Sequence, residues 1–201
     1  MSAANSRPLR DQELTGTPGY AAYEMRQLRT EAERAEAEAL VTDRHIWLTR
    51  RHRPCPAATS IASRFRQEPA AVGMFENGGR LVCCLVLDQT PAEIWLRHVY
   101  SAPGSTSNGV ARLLTLWAAD HAAQNGLAHV HVEALLAEGI GTPSVLITRY
   151  ITYLHELGWT TLRISNGPVG ARVVHLRVPA KRRPAIQHLV RFALPVEPSD
   201  S

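Results

Sequence analysis

Apolar residues follow two different spacings along the middle of the chain. Between Val110 and His121 they recur three and four residues apart, which predicts an amphipathic helix that ends at Gly126. Its apolar face consists of Val110, Leu113, Leu114, Trp117, Ala118 and His121. Shorter apolar or alternating runs at 71–76, 80–88, 94–101 and 128–135 predict strands. Asn77-Gly78-Gly79 between the first two runs predicts a hairpin, because its turn needs positive φ angles.

Helical patterns flank this region on both sides. Residues 21–51 predict helix, since Glu31 to Leu40 is a run of strong helix formers, with Asp43 as a candidate break between two helices. A short helix is predicted over 58–67. After a loop at 136–145, the pattern predicts a helix over 145–157 that stops at Gly158, strands at 160–164 and 171–178, and a helix over 184–194.

The order of these elements predicts one α/β domain. Helices come first, followed by a hairpin, a strand, and then alternating helices and strands, which is typical of a mixed sheet with flanking helices. A chain of 201 residues is long enough for a single core. We expect a loose arm over 1–19, the domain over 20–194 and a tail over 195–201.

Composition excludes several protein classes. Hydrophobic residues make up 45% and charged residues 20%, which is a globular balance and not that of a disordered chain. The longest apolar run, Leu81 to Leu87, is far shorter than the roughly 20 residues of a membrane-spanning helix. The N-terminus has no apolar signal segment, and the three cysteines cannot form a disulfide framework, so a cytoplasmic protein is expected. Cys83 and Cys84 lie in an apolar strand and are expected in the core.

Arginine dominates the positive charge. Lys181 is the only lysine among 22 basic residues, and the formal net charge is +4. Arginine grips phosphate with its planar fork, which favours a phosphate-bearing ligand. The other interpretation is codon usage in a GC-rich bacterial genome.

The residues before the central helix have phosphate-binding chemistry. The N–H groups at a helix N-terminus are unpaired and carry a partial positive charge. Gly109 allows close approach of the backbone to a ligand, and Ser105, Thr106, Ser107 and Asn108 can donate hydrogen bonds. An ordinary helix cap is the alternative interpretation.

Two segments carry a family resemblance. Thr106-Ser107-Asn108-Gly109-Val110-Ala111, after a strand and Pro103, resembles the acyl-CoA loop of the GNAT superfamily of N-acetyltransferases. Tyr153-Leu-His-Glu-Leu-Gly-Trp159 is similar to the family's Tyr-x-x-x-Gly-Phe signature. The resemblance covers about residues 21–178 in the family's element order. It implies a single-domain GNAT-like fold whose mixed central sheet is split at the donor site.

Three positions depart from the family pattern. Thr106 stands where the family has Arg or Gln, and Leu146-Ile147-Thr148 stands where it often has Asn. The family's general-acid tyrosine falls on Leu154, with Tyr153 one residue away. One residue turns a helical side chain by about 100°.

The resemblance implies a set of site residues and an acyl-CoA donor without a metal. Those expected at the donor are Val99, Tyr100, Ser101, Thr106, Ser107, Asn108, Gly109, Val110, Ala111 and Arg112. Tyr153 is the candidate acid, and the candidate bases are His98, His131 and Glu133. His131 and Glu133 share one strand face; the alternative is that this face is merely solvated.

Three functions fit these observations. The first is an acyltransferase that moves an acyl group, by default acetyl, from acyl-CoA to an amine of a small molecule by direct attack. The second keeps the fold but takes the acyl group from aminoacyl-tRNA. Basic clusters at 50–53, 64–66 and 181–183 are candidate tRNA contacts. The third is a non-catalytic binding module. A small-molecule amine is the expected partner, with tRNA and a second copy of the chain as further candidates.

Overall fold

In the part of the chain that the structure describes, eight strands form one sheet. The computed structural model describes residues 22–51, 61–104, 107–136, 144–166 and 172–193. The strands are β1 (Tyr23–Gln27), β2 (Ala71–Glu76), β3 (Arg80–Gln89), β4 (Ile94–Ser101), β5 (His129–Leu136), β6 (Thr160–Asn166), β7 (Arg172–Pro179) and β8 (Val190–Ala193). The helices are α1 (Glu31–Thr49), α2 (Arg64–Gln67), α3 (Ser107–Gln124) and α4 (Ser144–Glu156), with a 3-10 turn at Pro184–His188.

The sheet is mixed, as predicted. Its strand order is β6-β7-β5-β4-β3-β2-β1-β8. β4 pairs with β5 in parallel and β1 with β8 in parallel, while the other neighbours are antiparallel. The parallel β4–β5 step requires a crossover, and α3 provides it.

Each face of the sheet has its own core. α1 and α2 cover one face, where Leu40, Val41 and Phe65 pack with Phe75 and the apolar side chains of β3. α3 and α4 cover the other, where Trp117 and Leu154 pack in a larger cluster with side chains from β1 to β5 and β7. The two cores put apolar layers on both sides of β2 and β3, which explains why Leu81 to Leu87 is buried throughout.

The best-defined sequence patterns are confirmed. The predicted apolar face of α3 is buried except for Leu113, which is half-buried: Val110, Leu114, Trp117, Ala118 and His121 are each no more than 8% exposed. Asn77 and Gly78 both have positive φ in the hairpin turn, and Gly126 and Gly158 have positive φ just after α3 and α4. Cys83 and Cys84 are buried, and burial raises the pKa of Cys83 to about 12.

Two helix predictions are wrong at the ends of the domain. Residues 23–27 form strand β1, because Met25 is fully buried between Met74 of β2 and Phe192 of β8. Residues 184–194 form only the 3-10 turn before strand β8 pairs with β1. In both places hydrogen bonding to neighbouring strands outweighs local helix propensity.

The start of α1 follows its capping residues. Thr30 accepts from the Glu33 N–H, and the Glu33 carboxylate accepts from the Thr30 N–H, which is a capping box. The helix then runs unbroken to Thr49, so the predicted break at Asp43 is wrong. Of the helix predicted over 58–67, the four residues of α2 are confirmed as a helix; residues 52–60 lie outside the described residues. The predicted arm, the predicted tail and Thr106 also lie outside the described residues.

No helix in the described ranges is long and apolar enough to cross a membrane.

A buried carboxylate ties α3 to the segment after β7. The Asp120 side chain is 2% exposed and accepts hydrogen bonds from the Arg183 backbone N–H and from Gln124, while Arg182 lies 3.5 Å away. Burial by itself raises the pKa of Asp120, but these hydrogen bonds and the Arg182 charge outweigh it, so the pKa is lowered.

Replacing Asp120 with Asn is therefore expected to cost stability in a pH-dependent way. A lowered carboxyl pKa contributes stability above the unfolded-state value of about 3.9, and that stability is lost as the pH falls through the lowered pKa. Asp120→Asn should lose about 1–3 kcal/mol at pH 7 and less at pH 3, measured by urea unfolding. The exposed Asp43→Asn control should change little at either pH. An equal loss for Asp120→Asn at both pH values would contradict this account.

Candidate functional site

The sheet opens into a cleft between β4 and β5. The two strands pair over three residues only, Ile94 with Val130, Trp95 with His131 and Leu96 with Val132. Beyond Leu96, β4 runs on to Ser101 beside β3, and β5 runs on to Leu136 beside β7. The facing edges of β4 and β5 there carry backbone groups without a strand partner, which can bind an extended ligand.

A bulge in β4 lies where the cleft begins. Val86 pairs with Arg97 and Cys84 pairs with Tyr100, so Leu85 faces two residues of β4 instead of one. His98 occupies the bulge with φ +51°, a conformation that few residues other than glycine adopt. The bulge shifts the alternation of β4 by one residue, so that Tyr100 packs against the core beneath α1 while Val99 is 37% exposed. Ser101 is half-buried and pairs with Cys83.

The first turn of α3 lies just beyond the end of β4. Gly109 is exposed, whereas Val110 is buried in the core and can offer only its backbone N–H to a ligand. Ala111 is half-buried and Arg112 exposed. The backbone of Ser107 and Asn108 belongs to the helix, while their side chains lie outside the described part of the structure. The first-turn N–H groups have no carbonyl partner within the helix, which suits an anion.

His131 and Glu133 lie on the sheet face opposite α3. The His131 ring stacks on Trp95 with a centroid distance of 4.7 Å. The Glu133 carboxylate lies 3.9 Å from the Arg97 guanidinium, which also pairs with Asp88 at 3.2 Å. The predicted pair therefore belongs to a larger polar cluster, in which Trp95 and Arg97 were not expected.

Two further residues extend this cluster across β7 to β6. His175 is directly opposite Glu133 in the β5–β7 pairing, and its Nδ1 lies 3.6 Å from Glu133 Oε1. Its Nε2 lies 2.9 Å from Ser165 Oγ. The sequence analysis predicted neither residue. The signal for His175 is a single histidine among the valines and leucine of β7, but its partner can be identified only from the strand register.

Among the described residues, no three His, Cys, Asp or Glu side chains are arranged to hold a metal ion.

Burial keeps two of the candidate bases neutral. It lowers the pKa of His98, helped by the charges of Arg64 and Arg97 and opposed by those of Glu133 and Glu68. It also lowers the pKa of His131, with the charge of Glu93 acting against it. The His131 Nδ1 atom is buried and finds no hydrogen-bond partner among the residues that the structure describes. Both imidazoles are thus in the form that accepts a proton at neutral pH.

Tyr153 and Leu154 of α4 face different surroundings. Leu154 is 9% exposed and packs in the core under α3. The hydroxyl of Tyr153 is buried and has no hydrogen-bond partner in the described parts of the chain, and burial raises its pKa. One turn earlier, Tyr150 is 45% exposed. The pKa of its hydroxyl is raised, mainly by burial and to a smaller extent by the Tyr153 charge, while the Arg44 charge acts in the opposite direction.

A basic groove lies between the end of α1 and the turn after β4. Its volume is about 510 Å³, and its lining consists of Asp43, Ile46, Trp47, Arg50, Arg51 and Pro103. The guanidinium of Arg51 lies 4.0 Å from the centre of the Trp47 ring, and that of Arg44 lies 4.5 Å from it. Arginine and tryptophan together suit a planar, negatively charged ligand.

Comparisons with known proteins agree on the fold. No family model and no curated sequence matches the chain. Solved structures that it resembles include the ribosomal-protein-S18-alanine N-acetyltransferase from Escherichia coli, with a TM-score of 0.55 and 15% identity, covering 79% of this chain and 94% of that one. An aminoglycoside 6'-N-acetyltransferase complexed with coenzyme A gives a TM-score of 0.51 and 12% identity, covering 77% of this chain and 94% of that one.

An acetyltransferase of the GNAT family from Listeria monocytogenes gives a TM-score of 0.50 and 12% identity, covering 76% of this chain and 93% of that one. These similarities cover most of each structure at low sequence identity, so they concern the arrangement of helices and strands. The chain has the GNAT fold, as the sequence resemblance implied.

Proposed function

We propose that the protein is a GNAT-type acyltransferase that moves an acyl group, by default acetyl, from acyl-CoA to an amine of a small molecule. The observation that carries the proposal is the cleft between β4 and β5, which opens after three paired residues and leads to the first turn of α3. The likeness to a transferase complexed with coenzyme A supports the choice of donor.

The residues of the cleft fit an acyl-CoA donor. The edge of β4 at Val99 and Ser101 offers backbone groups to the amides of the pantetheine arm, and the first turn of α3 offers N–H groups to the pyrophosphate. Thr106 and the exposed Arg112 are polar groups that flank this turn in sequence. The backbone N–H groups at the bulge are suited to polarise the acyl carbonyl.

His98 is the best-placed base for the acceptor amine. An amine of pKa about 10.4 must lose a proton at a cost of about 4.6 kcal/mol at pH 7 before it can attack. The burial and the Arg64 and Arg97 charges that lower the pKa of His98 keep it neutral and ready to take that proton. Glu133 is already engaged by Arg97 and His175, so its role is electrostatic.

The surface beside the cleft suits a small acceptor. Trp95 and His131 form a flat stacked wall, and the carboxylates of Glu133 and Asp88 supply negative charge that attracts an ammonium group. Of the similar solved structures, one is named as an acetyltransferase of an aminoglycoside and another as one of an alanine in a ribosomal protein. Both names describe acetylation of an amine.

Aminoacyl-tRNA is the second candidate donor, favoured by the groove on α1. Trp47 and the exposed Arg50 and Arg51 lie against Pro103, three residues before the loop position Thr106, where a long polar donor is missing. Aromatic stacking and arginine charge are how proteins hold single-stranded nucleotides. Turnover of acetyl-CoA by RNase-treated protein would exclude this donor, and absence of turnover with both donors would leave a non-catalytic binding module.

Gly109→Val tests donor binding. A valine in the first turn of α3 should obstruct the approach of the pyrophosphate, so the Kd for acetyl-CoA should rise tenfold or more, about 1.4 kcal/mol, by calorimetry. Gly79→Val is the matched control, since an added Cβ there meets no atom within 4 Å. Unchanged acetyl-CoA affinity in a folded Gly109→Val protein would rule out the phosphate-binding role.

His98→Asn tests the base through the pH profile. Because His98 acts unprotonated and its pKa is lowered, the wild-type rate should fall only as the pH drops below the usual histidine value of about 6.5. The substitution should lower kcat by about 10²-fold or more and remove that limb, measured as CoA thiol release. His45→Asn on α1 is the control. A profile that keeps the limb in His98→Asn would place the base elsewhere.

Tyr153→Phe tests the acid. The Tyr153 hydroxyl, buried and without a hydrogen-bond partner among the described residues, is our candidate for protonating the leaving thiolate. Its loss should then lower kcat by about 10²-fold with little change in acetyl-CoA affinity. Tyr150→Phe is the matched control one turn away. Equal kcat in Tyr153→Phe and the wild type would make its phenol a packing group.

A further inference from the structure

Three side chains on adjacent strands are arranged as a nucleophile, a base and an orienting carboxylate. Ser165 Oγ on β6 lies 2.9 Å from Nε2 of His175 on β7, and Nδ1 of the same ring lies 3.6 Å from Glu133 Oε1 on β5. The two outer groups therefore contact opposite nitrogens of one imidazole. This is the relationship that activates a serine in catalytic triads, which recur on unrelated folds.

Strand pairing holds these groups in place. Glu133 and His175 are directly opposite in the antiparallel β5–β7 ladder, and Ser165 pairs with Val173, two residues before His175 on the same face. Side chains at opposite and diagonal positions of neighbouring strands are within reach of each other. The array thus depends on the sheet itself and needs no loop to form.

The neighbours of His175 favour one tautomer of its neutral ring. A carboxylate only accepts hydrogen bonds, so the nitrogen that faces Glu133 is the one that carries the proton. Nε2 is then the acceptor for the Ser165 hydroxyl. His175 is 7% exposed, and its buried Nδ1 has no hydrogen-bond partner among the described residues; Glu133 Oε1, at 3.6 Å, is slightly too far for one. Catalytic contacts that are long in a free enzyme commonly tighten into hydrogen bonds when substrate binds.

We propose that Ser165, His175 and Glu133 form a second acyl-handling site, in which Ser165 is a nucleophile toward esters and thioesters. This activity goes beyond amide formation in the cleft. The site spans β5, β7 and β6, and its nucleophile Ser165 on β6 is two strands, or about 10 Å, from β5. Its nucleophile is half-buried at the edge of the sheet, where a substrate from solvent reaches it.

The proposed reaction needs no reagent other than the acyl donor and water. Ser165 Oγ forms a bond to the acyl carbonyl carbon, and its proton passes to His175 Nε2. The C–S or C–O bond of the donor breaks, and the leaving thiolate or alkoxide takes the proton from His175. Water then attacks the acyl-serine by the same path, which releases a carboxylic acid and restores Ser165.

A cation is available for the charge that develops on the carbonyl oxygen. Arg163 precedes Ser165 by two residues on β6 and is the cross-strand partner of His175. It is exposed and forms no ion pair within the described parts of the chain. A guanidinium beside the nucleophile can stabilise an oxyanion in the manner of an oxyanion hole.

A fluorophosphonate tests this site without any donor or acceptor. Such a probe reacts with activated serines, and peptide mass spectrometry of the full-length protein should locate one phosphonyl group on Ser165. Ser165→Ala should abolish labelling, and His175→Gln should slow it by about 10²-fold or more. Glu133→Gln should slow it by about tenfold or more, because the tautomer is no longer fixed. Hydrolysis of p-nitrophenyl acetate should follow the same order.

A matched control pair joins the same strand, β6, to helix α4. Thr161 Oγ1 lies 3.0 Å from His155 Nε2, a hydroxyl–imidazole contact with an exposed histidine. Thr161→Val and His155→Gln should leave labelling of Ser165 unchanged. Ring ¹⁵N NMR of His175 adds a readout for Glu133: the proton should sit on Nδ1 in the wild type and be shared between the nitrogens in Glu133→Gln.

The results separate this proposal from acyl transfer in the cleft. Labelling of Ser165 that depends on His175 supports the site even if acetyl-CoA is never turned over. An unlabelled wild-type protein, a label on another residue, or an equal rate in folded His175→Gln would overturn it, whatever the cleft does with acyl-CoA.

Discussion

The short parallel ladder between β4 and β5 is the constraint on which the rest of the site depends. Three residue pairs hold the two halves of the sheet together, after which each strand follows a different partner. Backbone N–H and C=O groups beyond Leu96 cannot be buried unpaired without a large cost, so the opening must be filled by solvent or by a ligand with matching groups. The crossover through α3 then sets a helix N-terminus at the end of the same strand.

The bulge at His98 adapts β4 to this opening. Before it, Trp95 and Arg97 face the side of α1; after it, Tyr100 packs on that side instead. The strand thereby keeps its contact with both cores while its direction changes. A positive φ at His98 is a strained backbone conformation. The pairing of β4 with β3 on both sides of the bulge holds the residue in this conformation.

The two faces of β5 and β7 differ in what covers them. α3 and α4 pack on one face, where Val130, Val174 and Leu176 are buried. α1 packs over β3 and β4 on the other face, where β5 and β7 carry His131, Glu133 and His175. Alternation along each strand therefore separates the apolar support of the sheet from its chemistry.

Sequence reasoning succeeded where the determinants are local. The spacing of Val110 to His121 and the Asn77-Gly78 turn specify their own structure, and the GNAT-like element order follows from such signals. It failed for β1 and β8, because these strands are stabilised by pairing with each other across most of the chain length. The Glu133–His175 contact was missed for the same reason: it exists only through the register of β5 against β7.

Glu133 is the point at which the cleft and the array on β6 and β7 meet. Its carboxylate faces Arg97 of β4 on one side and His175 of β7 on the other. A neutral side chain there would alter the field at His98, whose pKa responds to the Glu133 charge, and would also remove the negative charge that faces His175 Nδ1. Position 133 thus couples the two groups of residues electrostatically, whereas His98 and Ser165 each belong to one of them. Changes at those two positions are the ones that separate the proposed amide formation in the cleft from the proposed nucleophilic chemistry at the sheet edge.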